Sequence, residues 1–519
     1  MKKLFIIIFG FAIACNSSQK TIVEKTESQP VEDFSITYAS TITEEELKEH
    51  LYIYASDEFE GRETGQPGQK KAVDYLKKEY EALGLNPAKT NGDYLQKVPL
   101  EISKVPKGTM DVNGKSLMVG EDILTFSRAT GNFDNIVYVG YGIQEENYSD
   151  YSNIDVSGKL VLMKSGEPKN DDGTYVISGS SEKSVWSNMS EALGKRDQLA
   201  TSKGAIGVLY YDADNFARYN RYFEYMKSND SGRMQLKAQV SDEFNILLNK
   251  NAAIALFENI ETDATPRILD STVKLEIVSD NNQVDSENVA AIIKGSTKPN
   301  EYLIISSHLD HIGVTADGQI NNGADDDGSG TVALLEIAEA FKKAADEGQG
   351  PERSIIFLHV TGEEKGLLGS QFYTDYEPIV PLANTVANLN IDMIGRIDPK
   401  REGDRNYIYL IGSDKLSTEL HELSEAVNTK YLNIELDYTY NDENDPNRFY
   451  YRSDHYNFAK NNIPIIFYFN GTHDDYHRPG DTPDKINYDL LKNRTQLVFH
   501  TAWEVVNRSE KVIVDKAAK

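Results

Sequence analysis

The sequence has a single cysteine, Cys15, among its 519 residues, so no disulfide can form within the chain. It is also short of basic residues, with 54 lysines and arginines against 82 aspartates and glutamates and a formal net charge of −28. This balance argues against nucleic-acid binding, which needs a basic surface. Because the acidic residues are spread along the chain, we interpret them as a solvated surface. A preference for basic peptides is the alternative interpretation.

Long apolar runs are missing as well, apart from one near the N-terminus, from Leu4 to Ala14. This run follows two lysines, ends in small residues and is too short to span a bilayer comfortably, which predicts a secretory signal at 1–15. Cys15 follows the run directly, as in a bacterial lipobox, although Ala12 stands where leucine is commoner. We therefore expect an exported cell-envelope lipoprotein of the periplasm or outer membrane, attached to the lipid bilayer through acylated Cys15. Ordinary signal cleavage with an incidental cysteine is the alternative.

The length suits two or three domains. Residues 16–40 are polar and predict a flexible tether. Residues 41–104 have helical periodicity with a turn-rich break, and we assign them to the N-terminal part of a catalytic domain. Residues 105–285 contain short strand-like runs between Gly, Asn and Asp clusters, which indicates an inserted β-rich domain. The main catalytic pattern then occupies residues 286–508.

Four continuous apolar runs in this last segment predict strands: Tyr302–Ser307, Ser354–Thr361, Val386–Ile391 and Ile463–Phe469. Continuous rather than alternating apolar residues are typical of strands covered on both faces by helices. Helical spacing over 331–345, between the first two runs, favours a strand–helix–strand order and hence parallel strands. The predicted fold class is α/β, with a mainly parallel central sheet flanked by helices.

Side chains that can bind a metal follow each of these strands: His308, Glu363, Glu364, Asp392 and His477. The loop 323–330, at the start of the predicted helix, adds three aspartates, including Asp326. Ligands of an open parallel sheet lie outside the carboxyl ends of its strands, so these distant residues should meet at one edge. Two imidazoles and three or four carboxylates form a site of mixed nitrogen and oxygen character. The sequence therefore predicts a zinc hydrolase.

The set is large enough for two metal ions, which need a bridging ligand and terminal ligands on each side. Asp326 is the candidate bridge. His308 and Asp392 are the candidate ligands of one ion, and Glu364 and His477 are those of the other. We expect two Zn²⁺ ions, although Co²⁺ or Mn²⁺ can use the same ligands.

The remaining residues predict the catalytic chemistry. Glu363 is left without a metal and is the candidate general base, while Tyr476 is the candidate donor to the developing oxyanion. Asp310 and Asp481 are predicted to orient the two metal-binding imidazoles. Each motif alone has a structural alternative: paired glutamates are common on exposed helix faces, and the aspartates of the loop could cap a helix. Their coincidence at strand ends favours a metal site.

The same segments resemble family 28 of the metallopeptidases, the di-zinc aminopeptidase and glutamate carboxypeptidase family. The resemblance lies in Ser307–Asp310, Gly323–Gly330, Thr361–Glu364, Asn390–Gly395 and Asp475–Thr482, and it extends to Glu60–Arg62 and Arg452–His455. It implies the ligands, bridge and base named above, and the choice of Asp326 over its two neighbours rests on it. The segment 105–285 is similar to a protease-associated domain, which many members of the family carry.

Together with the N-terminal segment, the resemblance makes a secreted, lipid-anchored aminopeptidase that acts on peptides the leading interpretation. A carboxypeptidase of the glutamate carboxypeptidase type is a close alternative and would need an arginine-lined pocket. A glutaminyl cyclase is a third interpretation, but it would use one zinc ion and usually lacks the inserted domain. A non-catalytic binding protein on the same fold is the fourth, and the complete set of ligands disfavours it.

Overall fold

The computed structural model describes residues 33–188, 191–229, 232–237 and 244–516. The predicted signal, the lipidation site Cys15 and most of the predicted tether lie outside these residues. Helices in the described parts are α1 Phe34–Ala39, α2 Glu44–Tyr54, α3 Pro67–Ala82, α4 Ala192–Ser202, α5 Phe216–Asn229, α6 Lys250–Leu256, α7 Gly330–Asp346, α8 Leu368–Asp375, α9 Thr418–Tyr431, α10 His455–Ala459 and α11 Tyr488–Asn507. None of these helices combines the length and apolar character needed to cross a membrane.

The strands of the described residues form two large sheets and one small hairpin. Their bounds are β1 Asn86–Pro87, β2 Leu95–Ser103, β3 Lys107–Val112, β4 Lys115–Met118, β5 Ile123–Leu124, β6 Ala129–Tyr138, β7 Gln144–Glu145, β8 Tyr148–Ser149, β9 Leu160–Lys164, β10 Gly207–Tyr211, β11 Arg233–Leu236, β12 Phe244–Leu248, β13 Arg267–Val278, β14 Asn282–Ile293, β15 Lys298–His308, β16 Arg353–Val360, β17 Thr385–Ile391, β18 Tyr407–Ile411, β19 Glu435–Asp437 and β20 Ile465–Phe469. The strands β7 and β8 form the hairpin.

The first sheet has the order β11-β2-β14-β16-β15-β17-β20-β18-β19, with β1 beside β14. Its centre, β16-β15-β17-β20, is parallel, whereas β14 and β18 join this centre antiparallel. The predicted α/β class is confirmed, with a mixed sheet around a parallel centre. Pairing of Ser306 with Asn390 and of Ile391 with Tyr468 brings the carboxyl ends of three of these strands to one edge.

Helices cover both faces of this sheet. Helix α7 packs its apolar stripe on one face, where Leu334, Ala338 and Phe341 are completely buried. On the other face, Tyr373 of α8 and Phe458 of α10 pack against strands β15 and β16. Burial on both faces is the physical reason why the four strand sequences are continuously apolar.

The second sheet has the order β4-β3-β13-β6-β9-β10-β12-β5 and lies within residues 107–278. Strands β9 and β10 are buried along their whole length, between α6 on one face and α4 and α5 on the other. The domain boundary expected at 285 falls inside β14, which belongs to the first sheet. Strand β11 also joins the first sheet, since it pairs antiparallel with β2.

The predicted flexible tether, residues 16–40, extends too far at its C-terminal end. Residues 34–39 form α1, whose N-terminus is capped because the Asp33 side chain accepts from Ser35 N at 3.2 Å. Tyr38 and Ala39 are buried, and the ring of Tyr38 lies 5.8 Å from that of Trp503 in α11. Two buried side chains stabilise this short helix, although the polar residues before it predict a flexible segment.

Candidate metal centre

Asp326 lies between two histidines that come from opposite ends of the catalytic segment. Its Oδ1 atom is 3.2 Å from His308 Nε2, and its Oδ2 atom is 3.1 Å from His477 Nε2. The side chain of Asp326 is only 4% exposed. One carboxylate thus presents a separate oxygen to each imidazole, which is the arrangement that a bridging ligand needs.

Each histidine has a second carboxylate close by. Asp392 Oδ1 lies 3.7 Å from His308 Nε2, and Glu364 Oε2 lies 3.2 Å from His477 Nε2. The structure therefore brings together all five side chains that the sequence marks as metal ligands. They form two groups that share Asp326, with the same pairing that the sequence predicts.

The three consecutive aspartates of the loop have different environments. Both oxygens of Asp327 accept from backbone amides: Oδ1 from Gly330 N and Met393 N, and Oδ2 from His308 N. Asp325 Oδ1 accepts from Gly395 N at 2.7 Å. Asp327 can still join His308 and Asp392 in a group of potential ligand atoms within 4.8 Å. Its oxygens are engaged with the backbone, however, so geometry favours Asp326 as the bridge.

Two buried groups hold the loop that carries Asp326. The guanidinium group of Arg62, which is completely buried, donates to the carbonyls of Asn322 at 2.6 Å and Gly323 at 2.9 Å. Asp481 Oδ2 accepts from the backbone amides of Asp325 and Asp326. The sequence predicts that Asp481 orients His477, but the structure places its carboxylate against the loop backbone instead.

The contact between Asp310 and His308 also differs from the predicted one. Nδ1 of His308 lies 3.0 Å from the backbone carbonyl oxygen of Asp310, whereas the nearer carboxylate oxygen is 3.9 Å away. That carboxylate accepts from Thr64 Oγ1 at 2.7 Å and from Glu363 N at 3.2 Å. Asp310 therefore contacts the imidazole through its main chain, and its side chain fixes the backbone of Glu363.

Two polar side chains at the site were missed in the sequence. His311 is completely buried, and its Nδ1 atom lies 2.8 Å from Glu364 Oε1. His311, Asp326 and Glu364 together form a second group of potential ligand atoms within 4.8 Å. Ser453 Oγ donates to Asp392 Oδ2 at 2.6 Å. The spacing His308-x-x-His311 was a sequence signal for His311 as a further ligand. Nothing in the local sequence indicates that Ser453 contacts Asp392.

The charges of the centre fit a bound cation. Burial lowers the pKa of His308, but the nearby carboxylates of Asp326 and Asp392 outweigh this effect and raise the pKa well above its usual value. Burial also opposes protonation of His477, yet Asp326 and Glu364 raise its pKa to about 10. His308 Nε2 and Asp326 Oδ2 are buried without a hydrogen-bond partner. Strong negative potential around unpartnered ligand atoms is the chemistry expected of a metal site.

Glu363 and Tyr476 line a cavity of about 30 Å³ beside Asp326 and Asp392. Burial, together with the charges of Glu364 and Asp392, raises the pKa of Glu363 well above its usual value. Burial and the same group of carboxylates also raise the pKa of Tyr476, so its phenol stays protonated and can donate a hydrogen bond. Glu363, as an acid–base group, and Tyr476, as a hydrogen-bond donor, therefore line the same small cavity.

Several curated proteins of similar sequence are named as aminopeptidases, and one, from Arabidopsis thaliana, is named as a probable glutamate carboxypeptidase. Leucine aminopeptidase 1 of Sclerotinia sclerotiorum is 28% identical over 226 residues, which are 42% of this chain and 55% of that protein. Aminopeptidase YwaD of Bacillus subtilis is 26% identical over 249 residues, which are 47% of this chain and 49% of that protein. The chain thus spans about half the length of the curated relatives that it matches.

A solved structure of an aminopeptidase from Aneurinibacillus sp. strain AM-1 aligns with 93% of this chain and 98% of its own, at 19% identity and a TM-score of 0.46. Residues 288–502 match the model of Peptidase family M28. This segment contains all five candidate ligands, Glu363 and Tyr476. The match to this family model thus covers the segment whose motifs resemble the family.

Proposed function

We propose that the protein is a di-zinc aminopeptidase that hydrolyses the first peptide bond of its substrates. The proposal rests on the position of Asp326, with one oxygen directed to His308 and the other to His477. A bridging carboxylate between two sets of terminal ligands is typical of sites that hold two metal ions.

In this proposal, His308 and Asp392 would hold one zinc ion, Glu364 and His477 would hold the other, and Asp326 would be the ligand common to both. Zinc held there would supply the Lewis acidity that activates a water molecule and polarises the scissile carbonyl. Glu363 accepts a proton from the attacking water and returns it to the leaving nitrogen. The phenol of Tyr476 donates a hydrogen bond to the oxygen that becomes negative.

The surroundings of the inner cavity support an apolar residue beside the scissile bond. Met393, Phe467 and Phe469 line this cavity together with Glu363 and Asp392. Because Asp392 is assigned to zinc and Glu363 to proton transfer, the apolar side chains are the part of the wall left to contact the substrate. The aminopeptidase names of several curated relatives support cleavage at a free N-terminus.

A panel of small substrates tests the activity on protein with measured metal content. We expect cleavage of leucine p-nitroanilide, no cleavage of its N-acetyl derivative, and two zinc ions per chain. Preferential cleavage of N-blocked peptides would indicate the carboxypeptidase alternative. Cyclisation of N-terminal glutamine with one bound zinc would indicate a glutaminyl cyclase. Absence of all three activities in the metal-loaded protein would favour a binding protein.

We also propose that the protein is exported and anchored through acylated Cys15. The support is the apolar run before the only cysteine of the sequence. Replacing Cys15 with serine should release the protein from the membrane fraction or stall its processing. A Cys15→Ser variant that fractionates with membranes as the wild type does would contradict the anchor.

The second sheet is proposed to be a protease-associated domain that limits access of substrates to the centre. In the described residues, no side chain of the second sheet takes part in the metal centre. Strands β2 and β14 pair antiparallel with Ile102 opposite Asn282, so a short turn could join them in place of residues 103–281. This variant should keep its metal and cleave long peptides more readily relative to leucine p-nitroanilide. Loss of metal from a variant with native circular dichroism would contradict the proposal.

A further inference from the structure

The small cavity beside Glu363 opens into a larger one. The outer cavity has a volume of about 420 Å³, within the range of small-molecule sites. Four residues line both cavities: Phe449, Arg452, Thr472 and Tyr476. A peptide bond placed beside Glu363 and Tyr476 would therefore have its leaving part in the outer cavity.

Two arginines, Arg452 and Arg478, line the outer cavity. Both are exposed, and within the described residues neither lies within 4.0 Å of a carboxylate oxygen. Arg396 nearby differs, because its guanidinium group lies 3.1 Å from Asp475 Oδ2 and 3.7 Å from Asp481 Oδ1. Two arginines without an acidic partner thus lie together at the mouth of the site.

The position of Arg452 is supported by an aromatic ring. Its guanidinium carbon lies 4.9 Å from the centre of the Phe449 ring, which is part of the wall shared by both cavities. A cation over an aromatic face is held in place while its N–H groups stay available. Asp474 is the acidic residue of the outer lining, so the two guanidinium groups leave a positive local balance.

We propose that Arg452, assisted by Arg478, binds a carboxylate on the leaving residue of the substrate. This inference rests on the proposed aminopeptidase activity and deepens it by naming the preferred substrates. These are dipeptides, whose C-terminal carboxylate belongs to the leaving residue. A planar guanidinium group binds a carboxylate through paired hydrogen bonds, so the preference comes from direct recognition.

The test compares four substrates on zinc-loaded protein: Leu-Ala, Leu-Ala-amide, Leu-Asp-amide and N-acetyl-Leu-Ala. For the wild type, kcat/KM for Leu-Ala should exceed that for Leu-Ala-amide by about 10- to 100-fold, as expected for hydrogen bonds to a charged group. The difference should shrink as salt concentration rises. Leu-Asp-amide shows whether a side-chain carboxylate serves as well as the main-chain one; if it is preferred to Leu-Ala, the dipeptide assignment is overturned.

Arginine variants locate the effect. In Arg452→Gln, the ratio of kcat/KM between Leu-Ala and Leu-Ala-amide should fall towards one, whatever happens to the absolute rates. Arg478→Gln should lower the ratio less. Arg448→Gln is the matched control, because Arg448 lies in the same loop, stacks on Tyr451 and lines a different cavity. Its ratio should equal that of the wild type.

The outcomes separate this inference from the proposed function. Equal cleavage of Leu-Ala and Leu-Ala-amide by the wild type would overturn carboxylate recognition and leave the aminopeptidase intact. An unchanged ratio in Arg452→Gln would overturn the role of this residue. Cleavage of N-acetyl-Leu-Ala in preference to Leu-Ala would instead overturn the aminopeptidase. If Arg452→Gln then lost the cleavage of N-acetyl-Leu-Ala, this result would still support carboxylate binding by Arg452.

Discussion

Ser453 donates a hydrogen bond to Asp392 Oδ2 at 2.6 Å, which leaves Oδ1 as the oxygen that faces His308. Ser453 in turn accepts from Asn390 Nδ2 at 2.9 Å, and Asn390 Oδ1 accepts from Ser306 at 2.7 Å. All these hydroxyl and amide groups are buried. The chain of hydrogen bonds fixes which oxygen of Asp392 can bind a metal.

Replacing Ser453 with alanine should therefore weaken metal binding. The loss of such a supporting contact typically lowers metal affinity or activity by about 10- to 100-fold. Competition with a chelator measures the affinity directly, and Ser453→Thr should restore part of it because it keeps the hydroxyl. The control is Ser413→Ala, which removes a buried serine that bonds to His421, far along the chain from the centre. Equal metal affinity in Ser453→Ala and wild type would contradict the role of Ser453.

Glu363 and Glu364 are adjacent and chemically identical, yet they should respond differently to substitution. Glu363→Gln should keep both metals, while kcat falls by about 10²–10⁴-fold because the general base is lost. Glu364→Gln should lose metal, since the Oε2 atom of Glu364 lies 3.2 Å from His477 Nε2, within the candidate ligand set. Metal analysis and steady-state kinetics on both variants provide the measurement. If Glu363→Gln lost metal and Glu364→Gln kept it, the two roles would be reversed.

Chelation should lower both activity and thermal stability. Without a cation, the carboxylates of Asp326, Glu364 and Asp392 stay close together with little solvent to screen them. A ligand at about 100 times its dissociation constant stabilises the native state by about 2.7 kcal/mol, so re-adding zinc should raise Tm by several degrees. Magnesium is the control, because it prefers octahedral oxygen sites and should restore little. An equal Tm with chelator and with zinc would contradict a metal site in the native protein.

The sequence predicted the central strands, and the polar residues that the sheet brings together at their ends, because both leave local signals. A strand buried on two faces is apolar throughout, and a polar side chain stands out where the apolar run ends, as His308 does at the end of β15. Parallel pairing of the strands then brings these ends to one edge of the sheet, so no further sequence signal is needed. The α/β class, and the resemblance to the family whose model matches residues 288–502, were predicted for the same reason.

The details that the sequence did not provide depend on contacts between distant segments. Asp325 and Asp327 resemble Asp326 in sequence, but backbone amides of distant segments occupy Oδ1 of Asp325 and both oxygens of Asp327. Asp481 follows His477 by four residues but contacts the loop of Asp326, more than 150 positions earlier. Such partners are set by tertiary packing, which no local pattern encodes.

Glu336 is a buried acid outside the centre, and it gives a prediction about stability. It lies in α7 with its side chain 2% exposed, and its Oε1 atom is 3.5 Å from His50 Nε2. The hydroxyl of Tyr75 occupies the other nitrogen of His50 at 2.5 Å. Burial, with the charges of Glu46 and Glu339, raises the pKa of Glu336 to about 9. The native state therefore keeps Glu336 protonated at a pH where the unfolded chain has lost this proton.

The sign of the pH dependence follows from this difference. Because the native pKa is the higher one, the stabilising effect of the proton is fully present below about pH 4.5 and is lost as pH rises through about 9. Glu336→Gln cannot titrate, so its stability relative to the wild type should increase between pH 4.5 and 7.5 by roughly 2–4 kcal/mol. Urea unfolding at the two pH values measures this change. Glu422→Gln, at an exposed position in α9, is the control and should stay within about 0.5 kcal/mol of the wild type. A stability difference between Glu336→Gln and wild type that is the same at both pH values would show that Glu336 is not protonated in the native state.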